Sequence, residues 1–149
     1  MRNKTNINEN IFKNTKEEAE EFYKNIEKVY CPYLKTPVSF NAKGLSHVKM
    51  KNRNKSRTKS DQYLRLKFLK LTPYILKKSG TLQEFNKKEN IRYFGFVAII
   101  NNLRLKIIIK QESHNNPYFW SIIPFWKREK DKMNQKIKKV FHEGDLQSD

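Results

Sequence analysis

Arg92-Tyr93-Phe94-Gly95-Phe96-Val97-Ala98-Ile99-Ile100-Asn101-Asn102-Leu103-Arg104-Leu105-Lys106-Ile107-Ile108-Ile109-Lys110-Gln111-Glu112 is a pair of apolar runs with two asparagines between them. Each run has the length of a strand and its β-branched and aromatic composition. Asparagine tolerates positive φ, so Asn101-Asn102 predicts a two-residue hairpin turn. The same period extends outward: Thr81 to Lys87 and Pro117 to Phe125 are expected as strands, with a turn at Ser113 to Asn116. The four strands form an antiparallel meander in sequence order.

Upstream of Gly80 the period is helical. Asn14 or Thr15 is expected to cap a helix to about Val29, with Glu17, Glu18, Glu20 and Glu21 near its positive end and Ala19, Phe22, Tyr23 and Ile26 as an apolar stripe. Met1 to Phe12 is expected to be loose. Thr36 to Phe40 is a short strand, Ala42 to about Lys51 a helix despite Gly44, Asn52 to Lys59 a charged loop, and Asp61 to Lys70 a helix. Thr72-Pro73 starts a further helical turn to Lys78, and Ser79-Gly80 ends it with a left-handed glycine. Lys127 to Phe141 is expected to close the domain as a basic helix, with Met133, Ile137 and Val140 inward. Helices followed by a meander give an α+β domain over residues 14–141, with a flexible segment 1–13 and a tail 142–149.

The chain has 149 residues, 32 Lys and Arg against 15 Asp and Glu, one cysteine and four glycines. That length buries a core without staples. The single Cys31 excludes an intramolecular disulfide and a cysteine-based zinc site. No apolar run has transmembrane length and the N-terminus has no signal-peptide pattern, so a cytoplasmic protein without membrane association is expected. Charge is unevenly placed. Residues 1–30 hold six basic and six acidic side chains, whereas Cys31 to Gly80 holds thirteen basic and one acidic, Asp61. A polyanion is the first partner such a concentration calls for.

The chemistry follows from what is present. No Asp-x-Asp, His-x-His or Glu-x-x-His spacing occurs, and no Gly-rich phosphate loop, so no metal or other cofactor is expected. Attack of a ribose 2′-hydroxyl on the adjacent phosphate needs a base, an acid and cations, which His, Lys and Arg can supply. His47 is the leading candidate, set in a run from Lys43 to Lys59 with seven basic residues and no acid. His114 sits in a turn and His142 beside the tail, where solvent roles are the expectation. Alternation places Arg104, Lys106 and Lys110 on one strand face and turns Trp120 and Ser121 to opposite faces. Ser121 among large apolar residues needs a partner for its hydroxyl.

Lys43-Gly44-Leu45-Ser46-His47 on a helix, Leu71-Thr72-Pro73-Tyr74-Ile75 after a basic helix, Lys106-Ile107-Ile108-Ile109-Lys110, and an aromatic final strand with Ser121 occur in one order. From Thr36 to Phe125 this order resembles the Barnase–EndoU–colicin–RelE (BECR) superfamily, in particular its phage- and toxin-associated nucleases. The resemblance implies a toxin-like endoribonuclease that cuts mRNA or tRNA without metal and is neutralised by an antitoxin or immunity protein, one that would be acidic here. It implies catalytic roles for His47, Lys110 and Ser121. Lys43 or Lys51 matches the basic residue next to the helix histidine. Arg65 is a phosphate contact without a firm match. Lys49, Arg53, Arg57, Arg104 and Lys106 are candidate nucleic-acid contacts from charge alone. The helix expected over 14–29 is an addition to the minimal fold, and Lys51 or Arg53 stands where some relatives carry a second histidine.

The same charge fits two other classes. One is a non-catalytic protein that binds RNA or DNA, such as a phage regulatory protein. The other is an interaction module covered by an acidic protein partner.

Overall fold

A computed structural model describes residues 8–52, 54–125 and, for the backbone alone, 141–142. The elements are α1 (Glu9–Lys24), β1 (Val29–Cys31), β2 (Thr36–Val38), α2 (Ala42–Lys49), β3 (Met50–Asn52), β4 (Lys55–Ser56), α3 (Lys59–Phe68), a 3₁₀ turn (Leu69–Leu71), α4 (Thr72–Lys77), β5 (Glu84–Lys88), β6 (Ile91–Ile100), β7 (Leu103–Glu112), β8 (Tyr118–Phe125) and β9 (Phe141–His142). The architecture is α+β.

Strands β5 to β8 form the expected meander in sequence order, each antiparallel to the next. The turn at Asn101-Asn102 has φ of 52° and 68°, the left-handed pair that a tight hairpin needs. The fourfold sheet is extended by β9, which runs parallel to β6 at Ala98 and Ile99. The closing helix expected over 127–141 lies outside the described residues, except at Phe141, which is in β9.

Several upstream boundaries differ from expectation. Helix α1 starts more than a turn earlier, capped by Asn8, whose side chain accepts from the backbone N–H of Asn10 (2.7 Å) and Ile11 (3.3 Å). Asn14 and Thr15 have equal capping chemistry; the early start lets Phe12 pack against the core. The helix ends at Lys24 because Val29 and Cys31 are drawn into an antiparallel pair with Val38 and Thr36. The charged loop after Asn52 contains a small hairpin, β3 with β4. Thr72 is no cap: its φ is −58° and the 3₁₀ turn carries the chain from α3 directly into α4. Nor does Gly80 stop α4 with a left-handed residue, since no described glycine has positive φ. The helix ends at Lys77 without one, and the Ser79 hydroxyl donates to the Ile75 carbonyl at 2.7 Å. Strand β5 begins at Glu84, later than Thr81.

One face of the sheet is sealed. Phe94, Phe96, Ala98, Leu105, Ile107, Ile109, Phe119 and Ile122 are buried with Tyr23, Val48, Leu66, Leu69, Ile75 and Leu76 of the helices. Burying each large side chain contributes about 1.5–3 kcal/mol. Helix α2 reaches the sheet at β8 through Gly44, where a Cβ would meet the Phe119 carbonyl oxygen at 2.2 Å and the Tyr23 hydroxyl at 2.9 Å. The same Tyr23 hydroxyl donates to the Asn41 carbonyl at 2.6 Å, so α1 pins the start of α2. The N-terminal helix is thus part of the core and sets where α2 sits.

Candidate functional site

Helices α2 and α3 pack against β8, the last strand of the meander, and a bulge there decides what the strand presents. Ile109 pairs with Phe119 and Ile108 with Ser121, so Trp120 is an extra residue without a partner in register. The bulge removes the alternation expected across Trp120 and Ser121. Phe119 and Ile122 point into the core, and Trp120 and Ser121 both line the cleft on the opposite face.

Helix α3 contributes an arginine to that cleft. Thr58 caps it by accepting from the Asp61 N–H at 3.1 Å, so Asp61 sits in the first turn, where a carboxylate is favoured. One turn further, Arg65 Nε donates to Asp61 Oδ1 at 2.8 Å, while its Nη1 donates to Ser121 Oγ at 2.8 Å and to the Ile122 carbonyl at 3.2 Å. The buried Ser121 hydroxyl therefore has its partner. Arg57, one turn before Asp61, lies 3.6 Å from Asp61 Oδ2 and donates Nε to the His47 carbonyl at 3.0 Å. A chain of contacts thus runs from His47 through Arg57, Asp61 and Arg65 to Ser121. Arg57 and Arg65 are 8% and 9% exposed, and they share one carboxylate.

His47 stacks on Trp120 with ring centroids 4.0 Å apart and an interplanar angle of 21°. Lys110 Nζ lies 3.8 Å from the Trp120 ring centroid. The indole therefore holds two of the candidate residues. Burial, then Arg57 and Arg65, lower the His47 pKa from its ordinary 6.5 to about 4; a backbone interaction with Trp120 opposes them and Lys110 adds slightly to them. His47 is neutral at pH 7.

The stacked pair stands between two clefts. The first, of about 900 Å³, is walled by His47, Arg57, Arg65, Trp120 and Ser121 on one side and by Glu84, Asn86, Tyr93 and Gly95 of β5 and β6 on the other. The second, of about 850 Å³, is lined by Lys43, Ser46, Met50, Lys51, Lys110, Glu112 and Tyr118, and shares His47 and Trp120 with the first. Lys43 is 3.5 Å and Lys110 3.8 Å from Glu112, whose carboxylate accepts a hydrogen bond from the Tyr118 hydroxyl at 3.2 Å.

Of the candidate residues, His47, Ser121, Lys110, Arg57, Arg65, Lys43 and Lys51 come together around these clefts. Lys106 is on the same sheet face but is paired with Glu84 at 2.8 Å. Lys49 is turned away, bonded to Glu20 of α1 at 2.7 Å. Arg104 is 5% exposed at the far end of β7, opposite Phe125, and lines neither cleft. His114 is exposed in its turn. Arg53 and the side chain of His142 lie outside the described residues.

Sequence reasoning missed the sheet wall of Glu84, Asn86, Tyr93 and Gly95, and the clamping role of Asp61. Both had a signal: Asp61 is the single acid among thirteen cations, and Gly95 interrupts an apolar strand, which marks a bulge or a close approach. Among the described residues, no group of three or more His, Cys, Asp or Glu side chains could hold a metal ion. No helix there is long and apolar enough to cross a membrane.

Comparison with protein-family models, with curated proteins and with solved structures finds no match to this chain.

Proposed function

We propose that the chain is a toxin-like endoribonuclease that cuts RNA, tRNA or mRNA, without a metal, by the BECR type of mechanism. The observation that carries this reading is the pair of buried guanidiniums, Arg57 and Arg65, sharing the single carboxylate of Asp61 beside a neutral imidazole. Two buried cations against one anion leave positive charge unanswered, which is costly until an anion enters. A phosphodiester is such an anion, and guanidiniums match its oxygens in planar, paired geometry.

In this mechanism neutral His47 takes the 2′-hydroxyl proton as the 2′ oxygen attacks phosphorus. Arg57 and Arg65 hold the non-bridging oxygens as charge builds on them. Ser121, fixed by Arg65, and Lys110, at the rim, orient the phosphate. The bond from phosphorus to the 5′ oxygen breaks, and that oxygen leaves with a proton from water in the open cleft. The products are a 2′,3′-cyclic phosphate and a 5′-hydroxyl. A bound phosphate also cancels the arginine field that depresses the His47 pKa, so the base strengthens when substrate arrives. Lys43 and Lys51 in the adjoining cleft extend the cationic track along the strand, and the free basic surface suits an acidic antitoxin.

The test is incubation of wild type and His47→Ala with total tRNA and an mRNA transcript in EDTA. Wild type yields discrete fragments with cyclic phosphate ends, and His47→Ala loses about a hundredfold in rate, the low end for a general base. Full activity in His47→Ala would remove His47 from the mechanism. The second reading, a non-catalytic nucleic-acid-binding protein, draws on the exposed Lys43 and Lys51. It expects salt-dependent binding without fragments, weakened in Lys43→Ala/Lys51→Ala and untouched in His47→Ala.

A further inference from the structure

The sheet wall of the first cleft has features that phosphate binding does not require. Tyr93 and Gly95 are two residues apart on β6 and share the cleft face with Glu84 and Asn86 of β5. A glycine inside a strand weakens it, and Gly95 has no positive φ to account for its presence. What it provides is depth: a Cβ there would stand 3.1 Å from Glu84 Cβ and 3.6 Å from Lys106 Cδ. Tyr93 is half-buried beside this recess, with Lys110 Nζ 5.6 Å from its ring centroid. Lys106 holds Glu84 by one carboxylate oxygen, at 2.8 Å. The exposed Asn86 amide, cross-strand from Tyr93, has no hydrogen-bond partner among the described residues.

We propose that this wall is a nucleobase subsite, in which Tyr93 meets the base face, Asn86 reads its edge and Gly95 makes room for it. The inference rests on the ribonuclease reading, and it adds that cleavage depends on the base next to the phosphate held by Arg57 and Arg65. A ring, an amide with both donor and acceptor, and a side-chain-free floor are what a splayed single-stranded base requires. The first two line the same cleft as His47, Arg57 and Arg65.

The experiment measures binding of 2′-O-methyl trinucleotides, which cannot be cut, with each of the four bases varied at each position. Wild type should favour one base at one position by tenfold or more. Asn86→Ala should reduce that preference to within about threefold. Tyr93→Leu should weaken all four about tenfold, as loss of one stacked base does. Gly95→Val should bind weakly although valine suits a strand, so that its thermal stability separates a filled recess from a damaged fold. Equal binding of the four bases by wild type, or a preference unmoved in Asn86→Ala and Tyr93→Leu, would overturn the subsite. Parallel cleavage of natural RNA separates this from the broader reading. A base preference that Asn86→Ala abolishes, in a protein that cuts nothing, sustains the subsite and ends the ribonuclease reading. Cleavage with an unmoved preference does the reverse.

Discussion

Strand β7 has two faces that differ in what answers them. Leu105, Ile107 and Ile109 point into a core of helices and are fully buried, whereas Lys106, Ile108 and Lys110 are on the opposite face and half-buried, Ile108 and Lys110 lining the clefts. The first face joins the cluster of buried hydrophobic side chains supplied by the helices. On the second, each lysine is held by a carboxylate, Glu84 or Glu112, and the pair of arginines across the cleft has half the negative charge it needs. The difference teaches that one strand can serve a sealed core with one parity and, from Lys106 to Lys110, a more open face with the other. The bulge at Trp120 is where the rule is broken, to turn two consecutive residues to the open side.

Adjacent isoleucines test the separation most directly. Ile107→Ala should cost about 4 kcal/mol, since a fully buried side chain leaves a cavity the core cannot close. Ile108→Ala should cost about 1 kcal/mol, because its site is already half open. Urea unfolding of the two variants reads the difference as a shift in midpoint at constant slope. Equal losses would mean that the open face is structural too.

Gly44→Ala is the next largest effect, and the one that crosses between the faces. Its Cβ would meet backbone, the Phe119 carbonyl, at 2.2 Å, so relief requires α2 to move off β8. Overpacking of this kind costs about 3 kcal/mol. Because α2 carries His47 and β8 carries Trp120, the same shift should separate the stacked rings and lower RNA cleavage in protein that is still folded. A destabilised Gly44→Ala with undiminished cleavage would show that the stacking is incidental.

The meander was readable because its signals are local. Asn101-Asn102 and the two β-branched runs beside it specify the hairpin without help from the rest of the chain. The start of α1 was not readable, because Asn8, Asn14 and Thr15 cap equally well and only the packing of Phe12 separates them. At the site, the segment with His47 and its cations was legible as charge, and Ser121 as an unpaired hydroxyl. Their meeting was not, since Arg65 and Ser121 are 56 positions apart. Charge also could not distinguish Lys49, neutralised by Glu20, from Lys51, which faces the cleft. Trp120 departs from strand parity because a bulge is a property of pairing, and its register is absent from one strand read alone.

The pH response sharpens the comparison further, because His47 stands on the open side of the sheet. His47 in the folded chain has a pKa of about 4, against 6.5 unfolded. The unfolded state therefore binds its proton first as pH falls. The stability contributed by neutral His47 is complete above about 6.5 and is lost as pH falls toward 4. His47→Gln should flatten that part of the stability profile. The rate should follow the same group with a different midpoint. As a base, His47 gives kcat/KM an acid limb near 4, the value in the free protein. The limb of kcat should lie higher, since bound phosphate offsets Arg57 and Arg65. Coincident limbs would mean that the phosphate does not bind against those arginines.

The smallest effect comes from a site on neither face. Asn101 and Asn102 both hold positive φ, and the second position of such a turn favours glycine over any side chain. Asn102→Gly removes the left-handed penalty, while glycine's extra freedom in the unfolded chain takes part of that gain back. The net should be a stabilisation of a few tenths of a kcal/mol, visible as a rise of a degree or two in Tm. Cleavage per folded molecule should not change, because the turn joins β6 and β7 at the end opposite Tyr93 and Lys110, which are paired across the ladder. A change in activity here would be informative in spite of its size. It would show that the twist of the hairpin, set at its turn, reaches Tyr93 and Lys110 through the seven cross-strand pairs of β6 and β7 that follow Ile100–Leu103, so that the two faces are not independent.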